Sequence, residues 1–374
     1  MRVEGTAVRH GTHGIRLEAQ VRGEPLFWEL PRLETFEARG EPFVCALLPA
    51  AMRAGSGLTL PDDLPLDPTF LANVERLQSV FVRWFPGLRP VTIRATIAPR
   101  TVRTQLRATG YSGGIDSSFT LAELGDELDA ALLIDGIEYR TEAPELFNRI
   151  SSTLDTAIER RGLRLVRVRT NAKMFGRALG AKWSESLGGA IAAAVHAAGF
   201  ATYHVAASNS WENLRPYGSH PLTDPLWSSA TVHLEHHGAE LRRIDKIRYL
   251  GSVPDLLELV RVCFQGVEYN CGRCQKCLMT MAGFRAVNIT TPALPRLDDA
   301  TLLRQVVVEH DGDLIDWEEL LVPNLERTDP ALHRELERLV RRYRWRRLVK
   351  SLDELATGGR FRGLLTKGKK LAAL

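Results

Sequence analysis

From about Thr101 the chain repeats one pattern, a short apolar run, a loop and a helix-length amphipathic stretch, and this repeat constrains the fold more than any other feature. "QLRATGY" leads through two glycines into "DSSFTLAELGDEL", and "DAALLID" leads into "ELFNRISSTLDTAIERRG". "LRLVRVRT" is followed by the helical "ESLGGAIAAAVHAAG" and then by "ATYHVAAS". Strands joined through helices return to the same end of a sheet and pair in parallel, which leaves both faces to be covered by the helices. The expected fold class is α/β, a Rossmann-like parallel sheet with helices on both faces.

The flanking residues do not continue this pattern. In "GIRLEAQVRG", Ile15, Leu17, Ala19 and Val21 alternate with Arg16, Glu18, Gln20 and Arg22, the period of a half-buried strand, and "EPLFWELPR" supplies a hairpin partner. "LDPTFLANVERLQSVFVRWFPG" offers Asp67 as N-cap and Pro68 at the first helical position, with Leu71, Val74, Leu77, Phe81 and Trp84 at helical spacing. With the alternating "VTIRATIA" these predict a small α+β module of unknown role over residues 1–100, with a boundary near Pro99. The α/β domain then spans 101–290. Residues 291–374 read as helical in "LLRQVVVEH" and in "LHRELERLVRRYRWRRLVKSLDEL", and end in a Gly- and Lys-bearing tail.

Charge narrows the function classes. The formal net charge of +4 over 374 residues argues against a protein that coats nucleic acid. The excess is local, because Ala331–Leu374 holds 13 Lys and Arg against 4 Asp and Glu. Phosphate contacts are one use for that segment; a solvated helix with Tyr343 and Trp345 packed inward is the preferred reading. The start, "MRVEGTAVRHG", lacks the apolar core of a signal peptide, and the most apolar long stretch, Leu187–Ala207, contains His196 and His204. A cytoplasmic enzyme with no membrane span is expected, and a homodimer is compatible with it.

The bend in "TGYSGGIDSSFTLAEL" packs Ser112, Gly113, Gly114, Asp116, Ser117 and Ser118 into seven positions. Glycines between a strand and a helix let the backbone approach a ligand, while the helix N-terminus presents unpaired N–H groups and the positive end of its dipole. The serines add donors suited to phosphate oxygens, and Asp116 can cap the helix or hold Mg²⁺ beside a polyphosphate. A tight turn with an Asp or Ser N-cap accounts for the same residues. The Lys-Ser/Thr ending of a Walker A loop is missing, and Gly-x-Gly-x-x-Gly does not fit. "SGGIDS", from Ser112 to Ser117, resembles the pyrophosphate loop of the ATP pyrophosphatase (PP-loop) superfamily, whose members split ATP into pyrophosphate and AMP and pass AMP to a substrate oxygen. The resemblance implies a HUP-type sheet, ATP as cosubstrate and these residues as its pyrophosphate cradle.

Four of the five cysteines fall in "CFQGVEYNCGRCQKC". Cys263, Cys271, Cys274 and Cys277 are spaced x7, x2, x2, and four thiolates complete a tetrahedral Zn²⁺ shell; an iron–sulfur cluster uses the same ligands, and disulfides are the third alternative. Cys45, in "FVCALL", reads as a buried hydrophobe. A pyrophosphate loop early in an α/β domain and this cysteine spacing late in it resemble the 7-cyano-7-deazaguanine synthase (QueC) branch over about residues 105–287. That family adenylates a carboxylate on a deazapurine, lets ammonia displace AMP and dehydrates the amide to a nitrile. The resemblance extends to "RIDKI", where it implies that Lys246 neutralises phosphate or carboxylate charge; a solvated surface lysine is the alternative.

The substrate half departs from that family. "AKWSESLGG" and "SNSWENLRPYGSHPLTDPLWSS" replace its substrate segments, which makes Trp183, Glu185, His220 and Asp224 the candidate substrate contacts. His196 reads as packing, and "EHHG" is assigned no site because adjacent histidines on a strand point to opposite faces. The leading expectation is an ATP-dependent enzyme that activates a small carboxylate, 7-carboxy-7-deazaguanine or another acid, for capture by ammonia, an amine or a protein acceptor. A PP-loop tRNA sulfur transferase and a non-enzymatic nucleotide sensor in a defence or biosynthetic cassette are the alternatives.

Overall fold

The computed structural model describes residues 1–12, 14–33, 36–101, 104–137, 144–265 and 268–357. The Lys-bearing end of the tail lies outside these residues. The chain falls into two compact units, Met1–Cys271 with Thr291–Ala293, and Gly272–Thr290 with Leu294–Leu374.

The first unit opens with a meander of β1 (Val3–Gly11), β2 (Gly14–Val21) and β3 (Glu24–Leu30). Helix α1 (Glu41–Ala54) comes next, then β4 (Leu58–Thr59), α2 (Pro68–Trp84) and β5 (Ile93–Arg94). After these stand β6 (Arg107–Gly110), α3 (Ile115–Leu124), β7 (Ala130–Asp135), α4 (Pro144–Arg160), β8 (Arg164–Thr170), α5 (Ala172–Ala178) and α6 (Trp183–Ala198). The unit continues with β9 (Thr202–Ala206), β10 (His233–His237), α7 (Arg243–Leu250) and α8 (Pro254–Leu257).

Eight strands form one sheet in the order β1-β2-β3-β8-β7-β6-β9-β10. The five from β8 to β10 pair in parallel. The sheet is therefore mixed, not parallel throughout, because β3 adds antiparallel to the outer edge of β8 through Trp28↔Thr170 and Glu29↔Arg169. An uncovered edge is a row of unpaired N–H and C=O groups, and the meander satisfies it. Among themselves the parallel strands follow the 3-2-1-4-5 order of a Rossmann-like half-fold, and the order reverses between β6 and β9.

Both faces are covered. In β7, Ala130, Leu132 and Ile134 join the core that α1, α2 and α6 build. Ala131 and Leu133 turn the other way, where Phe119, Leu121, Ile150, Leu154 and Ile158 of α3 and α4 are also buried. Asp67 caps α2, accepting from the N–H groups of Thr69 (2.9 Å) and Phe70 (3.1 Å).

Residues 1–100 are not a module separate from the α/β repeat. Besides the β3–β8 pairing, Asn171 accepts from Phe27 N–H and donates to Pro25 O, and α1 lies along α6. Pro49 inside α1 has no N–H for the carbonyl of Cys45, and α6 closes on that carbonyl so tightly that a Cβ on Gly189 would stand 2.4 Å from it. The compact units divide at 271/272, away from the boundaries at 100 and 290 that the patterning suggests.

The second unit holds α9 (Gln275–Ala286), α10 (Asp311–Glu318), α11 (Leu325–Thr328) and α12 (Pro330–Thr357). "LLRQVVVEH" is a 3₁₀ turn over Ala300–Gln305 that runs out into irregular chain, not a helix. In α12, Leu332, Leu336, Leu339 and Val340 are buried, and Tyr343 donates to Asp311 Oδ1 at 2.7 Å. Trp345 does not pack inward. It is 67% exposed, because the apolar positions after Val340 move to the opposite side of the helix from the face that is packed.

Candidate functional site

The glycine bend lies between β6 and α3, at the carboxyl end of the strand where the sheet order reverses. Open α/β sheets place ligands in that crevice. Gly113 has φ +80, in the left-handed region, and a Cβ there would meet Arg261 Cβ at 3.2 Å and both Leu154 Cδ2 and Leu259 O at 3.3 Å. Gly114 is the N-cap of α3 with no side-chain cap. Ser112 and Ser117 hold the turn together: their hydroxyls stand 3.2 Å apart, Ser117 Oγ accepts from Ser112 N–H at 3.3 Å, and it donates to Gly114 O at 3.1 Å. Ser118 is fully buried, which removes it from the mouth of the bend.

Asp116 does not cap its helix. Its carboxylate turns to two cations, with Arg243 Nη2 2.8 Å from Oδ2 and Lys246 Nζ 3.7 Å from Oδ1. Arg243 and Lys246 stand three apart on α7, so they share a face, and α7 packs against α3. Lys246 is 1% exposed and not a solvated surface lysine: its ammonium donates to Ala207 O at 2.6 Å, just beyond β9. The strand ends on both sides of the reversal, β6 with its bend and β9 with Ala207, are thereby linked through Asp116 and Lys246. Asp245, between the two cations, faces away to Arg242 and Arg248. Sequence patterning assigns Arg243 no role, although its i,i+3 spacing from Lys246 was the available signal.

The candidate substrate residues gather near the start of α6. Both oxygens of Glu185 are engaged by Arg53, one of them also by Lys182 N–H at 3.3 Å, and the residue is buried. Asp224 is buried too; its Oδ2 accepts from Ser219 Oγ (2.9 Å) and His236 Nδ1 (2.7 Å). His220 accepts Leu222 N–H at Nδ1 and stands edge-on to Trp84, and burial, aided by His236, lowers its pKa. Trp183 lies under Lys173, whose ammonium is 4.4 Å from the ring centroid. The backbone of Gly218 bonds Ser184 and Gly188, which brings the segment before His220 against the first turns of α6. Glu185 and Asp224 are therefore tied into the fold, and His220 and Trp183 keep the more open positions. The His236–His237 pair divides as adjacent strand residues must: His236 meets Asp224, whereas His237 lies 3.3 Å from Glu123 and 3.2 Å from Thr120 Oγ1.

Cys263, Cys271, Cys274 and Cys277 bring their sulfurs within 4.8 Å of one another. Tetrahedral Zn²⁺ with bonds of about 2.3 Å sets its sulfurs roughly 3.8 Å apart, so the four fit a metal such as zinc with small adjustments. Local structure assembles them. Gly272 takes φ +67 to turn the chain between the second and third cysteines, and Cys274 is the N-cap of α9, which carries Cys277 on its first turn. Gln265 N–H points to Cys263 Sγ at 3.4 Å, a contact that stabilises a thiolate. Cys45 is fully buried, and burial holds its thiol well above the ordinary range. None of the five cysteines is in a disulfide.

No family model matches the chain, and searches of curated proteins and of solved structures find no match. No helix among the described residues is long and apolar enough to cross a membrane.

Proposed function

We propose that the protein is an ATP-dependent carboxylate-activating enzyme of the PP-loop type, with a HUP-like sheet and a chemistry related to the QueC-like synthases. The observation that carries the reading is the position of the glycine bend, at the order reversal of the parallel strands, with a carboxylate and two cations gathered beside its helix N-terminus. Backbone N–H groups around Gly113 and Gly114, with Ser112 and Ser117, hold the pyrophosphate portion of ATP. Asp116 is the residue that would hold Mg²⁺, which would supply positive charge to the phosphate oxygens beside Arg243 and Lys246.

The chemistry is set by the leaving groups. A carboxylate oxygen attacks the α-phosphorus, the bond to the β-phosphate oxygen breaks, and pyrophosphate departs with the electron pair. Charge builds on that pyrophosphate, which is what Arg243, Lys246 and the helix N-terminus stabilise. An amine or ammonia then attacks the acyl carbon and AMP leaves. The four-cysteine group serves as a structural metal centre, with zinc the best match to its donors.

Sulfur transfer is the weaker reading. It needs a cysteine able to carry sulfur, and the one cysteine outside the metal group, Cys45, is enclosed in the core. Hydroxylamine separates the two: trapping of a hydroxamate from ATP and a heteroaromatic acid supports acyl-adenylate chemistry, and sulfur incorporation into tRNA without any hydroxamate overturns it.

A further inference from the structure

We infer that the four-cysteine centre positions the glycine bend, so that metal binding and nucleotide binding are thermodynamically linked; this rests on the ATP reading above. The link is the segment Leu259–Cys263, which has no helix or strand of its own. At one end it lies directly on the bend: Arg261 N–H donates to Gly113 O at 2.7 Å, and the glycine leaves no room for a side chain between the two stretches of backbone. Arg261 itself is buried, and Cys263 stands two residues later.

At the other end, the residues just before Cys271 clamp the same segment. Asn270 accepts from Val262 N–H at 2.9 Å and donates to Val260 O at 2.8 Å and to Ala293 O at 2.9 Å. Tyr269 donates to Leu259 O at 2.5 Å. Cys263 and Cys271 therefore each follow one of two cross-braced stretches, 259–262 and 269–270, and the first of these supports Gly113.

Irregular chain is held by its bonds, and an ion shared by Cys263 and Cys271 adds a tie across this stretch of the first unit. Without metal, Cys263 and Cys271 lose a shared ligand, and thiolates repel. Movement of Cys263 is transmitted through two residues to the Arg261 N–H that fixes the left-handed residue of the bend. Arg261 and Asn270 are positioning residues in this arrangement: they act on the nucleotide through the backbone of the bend. Coupling of this kind is reciprocal and typically changes affinity about 5- to 150-fold.

The test is calorimetric titration of ATP with Mg²⁺ into four forms of the full chain: metal-loaded wild type, wild type stripped with a chelator, and the same two forms of Asn270→Ala. Metal content is measured alongside, and far-UV circular dichroism checks that stripping leaves the sheet intact. We expect metal-loaded Asn270→Ala to keep its metal and bind ATP about tenfold more weakly. Stripping should cause a similar loss in wild type and little further loss in the variant, because both cut the same chain of contacts. Equal ATP affinity with and without metal overturns the inference, as do losses that simply add. If Asn270→Ala cannot hold metal, the two wild-type forms decide alone. Metal-loaded wild type that fails to bind ATP overturns the ATP reading itself, an outcome distinct from equal, measurable affinities.

Discussion

Gly113→Ala separates what the bend needs from what any left-handed glycine needs. At φ +80 an alanine costs about 1–2 kcal/mol in backbone strain. Its Cβ would also press on Arg261 Cβ, Leu154 Cδ2 and Leu259 O at 3.2–3.3 Å, and one of those neighbours is backbone that cannot rotate aside. Overpacking of this sort adds about 1–3 kcal/mol. Gly162, past the end of α4, is the matched control: its φ is +70, and a Cβ there meets nothing within 4 Å. Gly162→Ala therefore carries the strain alone, and the lowered entropy of the unfolded chain is common to both variants and cancels. Urea unfolding followed by circular dichroism should place Gly113→Ala at least about 1 kcal/mol below Gly162→Ala. ATP titration should show a loss of about tenfold or more for Gly113→Ala and none for Gly162→Ala. Equal stabilities together with wild-type ATP affinity in Gly113→Ala would refute the close approach on which the site rests.

Three further outcomes are expected. With metal bound, a thiol reagent should find no fast-reacting cysteine; after chelation the partly exposed Cys271 and Cys274 should react first, and Cys45 only on unfolding, as its burial and raised pKa require. Burial lowers His196 to about 4 from 6.5, so the folded state keeps it neutral while the unfolded chain takes up a proton below 6.5. Its contribution is complete above pH 6.5 and falls by roughly 3 kcal/mol as the pH drops toward 4, a slope that His196→Gln should flatten in urea titrations at stepped pH. Arg53→Ala strands the buried Glu185 carboxylate and should cost about 3 kcal/mol in the same assay.

What could be read from the sequence was local. The Asp67–Pro68 helix start, the alternation in β2 and the strand–helix repeat each rest on neighbours a few residues apart, and each stands in the structure. The glycine bend and the cysteine group were legible for the same reason. Helix α1 was not, because it is buried on every side through Met52 and carries Pro42 and Pro49, which erases the polar face that periodicity depends on. The attachment of β3 to β8 was equally hidden, since an edge pairing between residues 28 and 170 leaves no trace in either strand's own pattern. Within the site, Lys246 was visible through a motif, whereas Arg261 depends on a contact with Gly113, far back in the chain. Glu185 looked available for substrate only because Arg53, its partner, lies far away in sequence. Trp345 was misplaced because helical spacing identifies an apolar stripe without saying what, if anything, covers it.

The central claim is that this bend handles ATP for carboxylate activation, and isotope exchange tests it most directly. Adenylation is reversible before the nucleophile arrives, so an enzyme of this kind returns labelled pyrophosphate to ATP only when its acid is present. Metal-loaded protein with ATP and Mg²⁺ should show that exchange with 7-carboxy-7-deazaguanine or another heteroaromatic acid, and Lys246→Met and Gly113→Val should abolish it. Exchange that is absent across such acids, or that proceeds equally without any acid and in the Gly113→Val protein, would contradict the account.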